Sequence, residues 1–128
     1  MLDRAMPLVT DVDARETYSP EAPVTLYHGD CRDLLLQIPA ESAQLIVTSP
    51  PYNIGKRYEK KRALADYLAE QSEVIGLCVD RLADGGSICW EVGNHLSGPN
   101  EVLPLDIALY PLFASSWGER DVVRGDRI

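Results

Sequence analysis

Apolar and polar positions along this chain fall into blocks of changing period, and the blocks predict alternating strands and helices. Val24, Thr25, Leu26 and Tyr27 have the β-branched and aromatic content of a short strand. It ends at His28-Gly29-Asp30, a turn into an apolar helical run over 31–38 that Pro39 closes. A second buried strand is expected at Leu45, Ile46, Val47 and Thr48. Ser49-Pro50-Pro51 halts it at once, because proline has no N–H to give to a ladder. Residues 52–62 read as a loop. From about 63 to 82, Leu64, Tyr67, Leu68, Ile75, Cys78 and Leu82 recur at helical spacing with one buried face. Asp84-Gly85-Gly86 predicts a turn, 87–92 a third strand, 94–100 a loop, and 105–114 a second apolar helix that accommodates Pro111 poorly.

Strand, helix, strand, long helix, strand is the order of a parallel α/β sheet with right-handed crossovers. Residues 1–22 are polar, acidic and broken by Pro7 and Pro20, with Pro23 just beyond, and read as a loose leader. Residues 115–128 read as an irregular tail, so the organised part is expected at 23–114. Three strands make a thin sheet, and parallel sheets are normally covered on both faces. The pattern therefore predicts an incomplete domain.

Composition narrows the picture. The length of 128 residues allows one domain, and 45% hydrophobic with 25% charged residues excludes wholesale disorder. The net charge of -8 argues against a stand-alone nucleic-acid binder, which normally carries a basic surface. Cys31, Cys78 and Cys89 form no CxxC pair, so neither a disulfide framework nor a metal site is expected, and a reducing cytoplasm is the natural compartment. No apolar run approaches the roughly 18 residues of a membrane span, and no signal-peptide pattern opens the chain.

The candidate chemistry lies in Ser49-Pro50-Pro51-Tyr52, at the carboxyl end of a strand, where open α/β sheets bind their ligands. Two prolines fix the backbone, so the Pro50 carbonyl is held as a rigid acceptor beside the Ser49 oxygen. Two such acceptors suit the two hydrogens of an –NH2 group. The Tyr52 ring offers a face on which a base can stack, worth about 1–3 kcal/mol. An amino group inside a duplex is out of reach, so its nucleotide must be flipped out, at a cost of a few kcal/mol. Bonds to Ser49 and Pro50 would draw the nitrogen towards tetrahedral geometry and free its lone pair for attack on a sulfonium methyl, with no metal required.

Thr48-Ser49-Pro50-Pro51-Tyr52 resembles the catalytic motif of the bacterial DNA methylase N-4/N-6 family, in which Asp, Asn or Ser precedes Pro-Pro and an aromatic. Leu26-Tyr27-His28-Gly29-Asp30-Cys31, Tyr52-Asn53-Ile54-Gly55-Lys56 and Gly85-Gly86-Ser87-Ile88-Cys89-Trp90 resemble the flanking segments of that family, in the same order. The resemblance implies an incomplete Rossmann-like methyltransferase fold and S-adenosyl-L-methionine as methyl donor. It further implies double-stranded DNA as substrate, with Asp30 near the cofactor. Ser at the first motif position leans towards cytosine N4, with adenine N6 as the alternative. The basic residues Lys56, Arg57, Lys60 and Lys61 become candidate phosphate contacts because they follow the presumed base pocket.

Members of the family with this motif order carry a recognition region and a Phe-x-Gly-x-Gly cofactor loop further along, and this sequence has neither. The expectation is a truncated or frame-shifted product: an inactive remnant, or one half of a split enzyme whose partner subunit supplies the loop. Other residues have plainer readings. Asp30 is also a natural helix N-cap. His28 and His95 lack partners at triad or metal spacing and read as structural. Trp90 and Cys89 read as strand core, and Gly85-Gly86 as a tight turn. Gly93-Asn94 could extend the rim of the site, a role the sequence leaves open.

Overall fold

The computed structural model of the chain describes residues 13–55, 57 and 60–117. They form two compact units, divided between Ile38 and Pro39. Together they make a mixed α/β chain of three helices and three two-stranded sheets. Among the described residues, no helix is long and apolar enough to cross a membrane.

In the first unit, β1 (Ala14–Arg15) pairs in parallel with β2 (Val24–Thr25), and the Leu26 amide extends the ladder by donating to the Arg15 carbonyl at 2.8 Å. Part of the expected leader is therefore paired. The expected strand at 24–27 narrows to two residues. Helix α1 (Cys31–Gln37) starts where the Asp30 carboxylate accepts from the Arg32 amide at 2.9 Å, so the N-cap reading of Asp30 holds.

The second unit begins with β3 (Ala43–Thr48), continues into α2 (Leu64–Arg81) and returns as β4 (Leu82–Trp90), parallel to β3. The turn expected at 84–86 lies inside β4 as an irregularity. Ala43 pairs with Leu82 but Leu45 pairs with Ser87, and Gly85 takes φ +74° in the bulge, a conformation that glycine adopts without strain. The expected three-stranded parallel sheet is not formed. Among the described residues, β3 pairs with β4 and β2 pairs with β1. The segment expected as a loop at 94–100 is instead the start of an antiparallel hairpin, β5 (Asn94–Gly98) and β6 (Glu101–Pro104). Helix α3 (Leu105–Trp117) follows directly and carries Pro111 inside it, three residues beyond the expected end.

The core lies where α2 meets α3. Tyr67 and Ile75 from one, and Leu105 and Leu109 from the other, are essentially inaccessible, and Trp90 and Val92 pack against them. On α2, Tyr67, Gln71, Ile75 and Cys78 are the buried positions, one stripe at helical spacing. Trp90 meets Phe113 edge-on, with ring centroids 5.5 Å apart. Beyond the bulge, from Leu45 and Ser87 on, the β3–β4 pair alternates. Ile46, Thr48, Ile88 and Trp90 point one way and are half-buried, while Leu45, Val47 and Cys89 are exposed on the other face. Cys89 is thus not core, as its apolar neighbours had suggested. The two-residue period puts it opposite Val47 on the outer face.

Candidate active site

Because β3 and β4 are parallel, both strands release the chain at the same end. Thr48 pairs with Trp90, and the Glu91 amide donates to the Thr48 carbonyl at 2.9 Å. Ser49-Pro50-Pro51-Tyr52 therefore emerges beside Glu91, Val92 and Gly93. The consequence is close packing of Tyr52 on Gly93: a Cβ added at Gly93 would lie 3.0 and 3.2 Å from Tyr52 ring carbons. Gly93 is a seat for the Tyr52 ring. The Gly93 carbonyl, in turn, accepts from the Leu105 amide at 3.1 Å, tying the seat to the start of α3.

The Ser49 and Tyr52 hydroxyl oxygens lie 2.8 Å apart, an ordinary O–H···O distance. The Tyr67 hydroxyl, from the buried stripe of α2, donates to the Pro51 carbonyl at 2.8 Å. Of the two proline carbonyls, Pro51's is thus engaged. Sequence reasoning missed this use of Tyr67, reading it only as an apolar helix position. A tyrosine in an otherwise aliphatic stripe was the available signal, since a buried phenol needs a partner.

Asn53 was also missed. It is buried, has φ +58°, and grips the Arg62 backbone with both ends of its amide. Its Nδ2 donates to the Arg62 carbonyl at 2.8 Å, and its Oδ1 accepts from the Arg62 amide at 2.7 Å. This clasp closes the basic loop. Within the loop, Lys61 donates to the Leu96 carbonyl at 2.9 Å and Arg62 pairs with Glu70. Arg57 and Lys60 are exposed, whereas Lys56 lies outside the described residues. Asn53→Ala is expected to cost about 1–3 kcal/mol, because both bonds from the buried Asn53 amide to the Arg62 backbone are lost and alanine is strained at this φ. Thermal or urea unfolding checks the loss. Asn53→Gly should cost somewhat less than the alanine change, since glycine suits the φ, but it cannot bridge either.

Asp30 belongs to the first unit. Both its carboxylate oxygens accept from the Arg32 guanidinium, at 2.6–3.1 Å. Those side-chain bonds, and then the Arg32 amide, hold the Asp30 carboxyl down at about 2. A carboxyl depressed on folding stabilises the folded form above its ordinary value near 4 and loses that contribution as pH falls through about 2. A carboxyl-carbon NMR titration should give a midpoint near 2 for Asp30, and Arg32→Ala should raise it part of the way to the ordinary range, because the Arg32 amide still donates to the carboxylate.

A cleft lined by Glu41, Asp80, Arg81, Leu82 and Trp117 sits at the amino end of β3, the opposite end from Ser49. Ligands of open α/β sheets bind at the carboxyl ends of strands, so this cleft is not the candidate site.

A family model described as DNA methylase matches residues 43–113, from the start of β3 into α3. The chain belongs to the DNA methylase family. It is 44% identical over 90 residues to the type II methyltransferase M.BglII of Bacillus subtilis, covering 70% of this chain and 25% of that protein. It is 37% identical over 84 residues to the type II methyltransferase M.ScaI of Streptomyces caespitosus, covering 66% of this chain and 27% of that protein. The DNA adenine methyltransferase YhdJ of Escherichia coli (strain K12) is 41% identical over 70 residues, covering 50% of this chain and 23% of its own. The chain thus spans about a quarter of the length of these relatives. No solved structure matches it.

DNA methylases generally use S-adenosyl-L-methionine, and the residues of this chain can be set against that group. Asp30, the residue that the resemblance assigns to it, has both oxygens on Arg32, and the sequence contains no glycine-rich cofactor loop. These residues do not by themselves make the cofactor pocket.

Proposed function

We propose that this chain is the acceptor-base portion of a site-specific DNA methyltransferase, one that transfers a methyl group from S-adenosyl-L-methionine to an exocyclic base amino group, cytosine N4 by preference. The reading places it within a Rossmann-like fold that it does not complete alone. A partner subunit, or further chain, supplies the cofactor loop. One observation carries the proposal: Ser49 stands at the carboxyl end of β3 beside two prolines, with the Pro51 carbonyl already engaged by Tyr67. That arrangement supports Ser49 and the Pro50 carbonyl as the two acceptors for an –NH2 group, Pro51 as backbone lock and Tyr52 as stacking platform.

In this reading, a flipped base stacks on Tyr52 and its two amino hydrogens bond to the Ser49 oxygen and the Pro50 carbonyl. The bonds lie out of the base plane, so the nitrogen loses conjugation with the ring and its lone pair becomes directional. As positive charge develops on nitrogen, the same two oxygens stabilise it without reorganising. Lys56, Arg57, Lys60 and Lys61 serve as phosphate contacts that hold the duplex in register. The exposure of Arg57 and Lys60 supports their part. Lys61 reaches phosphate only with donors left over from Leu96.

Adenine N6 is the second reading, favoured by the likeness to YhdJ, a DNA adenine methyltransferase. Both readings meet one experiment. The chain is expressed in methylation-deficient cells, alone and together with the part of the M.BglII relative outside the matched quarter. The cellular DNA is then hydrolysed and its nucleosides weighed. N4-methyldeoxycytidine is the expected product. N6-methyldeoxyadenosine decides for the second reading, and neither product under either condition contradicts both.

A further inference from the structure

Two hydroxyls face each other at the end of β3, and the reading above gives a task to only one of them. Tyr52 contributes a ring face there, for which phenylalanine would serve as well. Yet its hydroxyl oxygen lies 2.8 Å from the Ser49 oxygen. We infer that the Tyr52 hydroxyl is a positioning group for Ser49: it receives the Ser49 hydroxyl hydrogen and so turns the Ser49 lone pairs towards the base amino group. The inference rests on the amino-group reading of this site.

The reason lies in what a serine oxygen carries. A hydroxyl has two lone pairs and one hydrogen, and the hydrogen rotates to suit its surroundings. An amino group presents only hydrogens to an acceptor. A Ser49 hydroxyl free to rotate would spend part of its time pointing hydrogen at hydrogen, a repulsive arrangement. A carboxylate or amide oxygen carries no hydrogen and has no such difficulty. Serine therefore needs a fixed place for its hydrogen, and the Tyr52 oxygen is at the right distance to be that place. On geometry alone either oxygen can donate. The arriving amino group, bringing donors only, selects the arrangement in which Ser49 donates. A hydroxyl that donates is also a better acceptor, through polarisation along the chain of bonds.

The Tyr52 oxygen is delivered to Ser49 by three independent restraints. The prolines at 50 and 51 fix the backbone between the two residues. The Tyr67 hydroxyl holds the Pro51 carbonyl, which belongs to the peptide entering Tyr52. Gly93 bounds the ring so closely that even one methyl group there would press on it. The short distance between the hydroxyls is thus a product of the scaffold and not of two side chains meeting by chance.

The test compares the intact 128-residue chain with Tyr52→Phe, Ser49→Ala and the double variant, titrated by NMR with deoxycytidine and with thymidine. The amides of Ser49 and Tyr52 report binding, and thymidine stacks equally well but has no amino group. The unsubstituted chain should prefer deoxycytidine by roughly three- to tenfold for each of the two hydrogen bonds to the amino group. Tyr52→Phe keeps the ring, so thymidine binding should stay unchanged while the preference falls by roughly three- to tenfold, the share of the Ser49 bond, leaving that of the Pro50 carbonyl. In the Ser49→Ala background the second change should add nothing, because the two residues act as a unit. A Tyr52→Phe chain that folds and keeps the full preference overturns the inference and leaves the amino-group reading standing. An unsubstituted chain with no preference overturns both.

Discussion

Ser49→Ala is expected to lower methyl transfer by about 10²–10³-fold in the complemented enzyme, while leaving the melting temperature of the chain within a degree or two. The asymmetry follows from where Ser49 stands. It lies outside the ladder, one residue beyond Thr48, is exposed, and among the described residues its side chain bonds to Tyr52. Removing it costs the scaffold little, since water can serve the Tyr52 hydroxyl in its place. The reacting nitrogen, by contrast, would lose one of two oxygens aimed at its developing charge, and water in that position must reorganise first. Single-turnover assays on saturating DNA separate the effects: the rate should fall with DNA affinity nearly unchanged, because phosphate contacts and stacking survive. Loss of affinity with an unchanged rate would assign Ser49 to base binding instead.

Tyr67→Ala is expected to destabilise the second unit by about 3–5 kcal/mol, the usual cost of emptying a large aromatic site in a core. Tyr67 is 1% exposed and sits among Ile75, Leu105 and Leu109, so the vacated space opens between α2 and α3. Against a total stability of about 5–15 kcal/mol for an ordinary domain, that loss leaves a substantial unfolded fraction. Tyr67→Phe should behave differently. It preserves the packing and removes only the bond to the Pro51 carbonyl, so it should cost about 0.5–1.5 kcal/mol. Urea unfolding of the two variants side by side reads the ring and the hydroxyl separately. If Phe proved as damaging as Ala, the bond to Pro51 would carry the fold, not merely orient the turn.

Much of this was legible in the sequence, and the failures have physical causes. The long helix was visible because its buried stripe repeats over five turns. The Ser-Pro-Pro-Tyr end of β3 was visible because proline leaves a strand no alternative. The hairpin of β5 and β6 escaped because Asn94, Gly98, Pro99 and Asn100 are turn formers, and only pairing across the hairpin, such as His95 with Leu103, makes strands of them. Sheet membership escaped for a similar reason: which neighbour β2 chooses depends on contacts that no local pattern encodes. The sequence predicts a helix over 105–114 that accommodates Pro111 poorly, and α3 holds Pro111 inside it and runs on to Trp117, with Leu105 and Leu109 buried against α2 before the proline.

Within the candidate site, the sequence offers Ser49, Pro50, Pro51 and Tyr52 as a motif but does not show what supports them. Asn53, Tyr67 and Gly93 all act through geometry: a left-handed backbone, a hydroxyl that reaches from a core stripe, and a Cβ that must be missing. None of these is a motif. Each becomes meaningful only when parallel pairing of β3 and β4 brings Gly93 alongside Tyr52. The basic loop shows the same limit, since charge alone could not separate exposed Lys60 from Lys61, whose ammonium is bonded to Leu96.

The central claim is that Ser49 and the Pro50 carbonyl receive a base amino group. Its most direct test is NMR of deoxycytidine carrying ¹⁵N at N4, bound to the chain with ¹³C in the Pro50 carbonyl. The account predicts a coupling across the hydrogen bond between N4 and the Pro50 carbonyl carbon, together with a nitrogen shift towards the range of a tetrahedral amine. A bound nucleoside whose N4 keeps its planar signature and shows no coupling to Pro50 would contradict it.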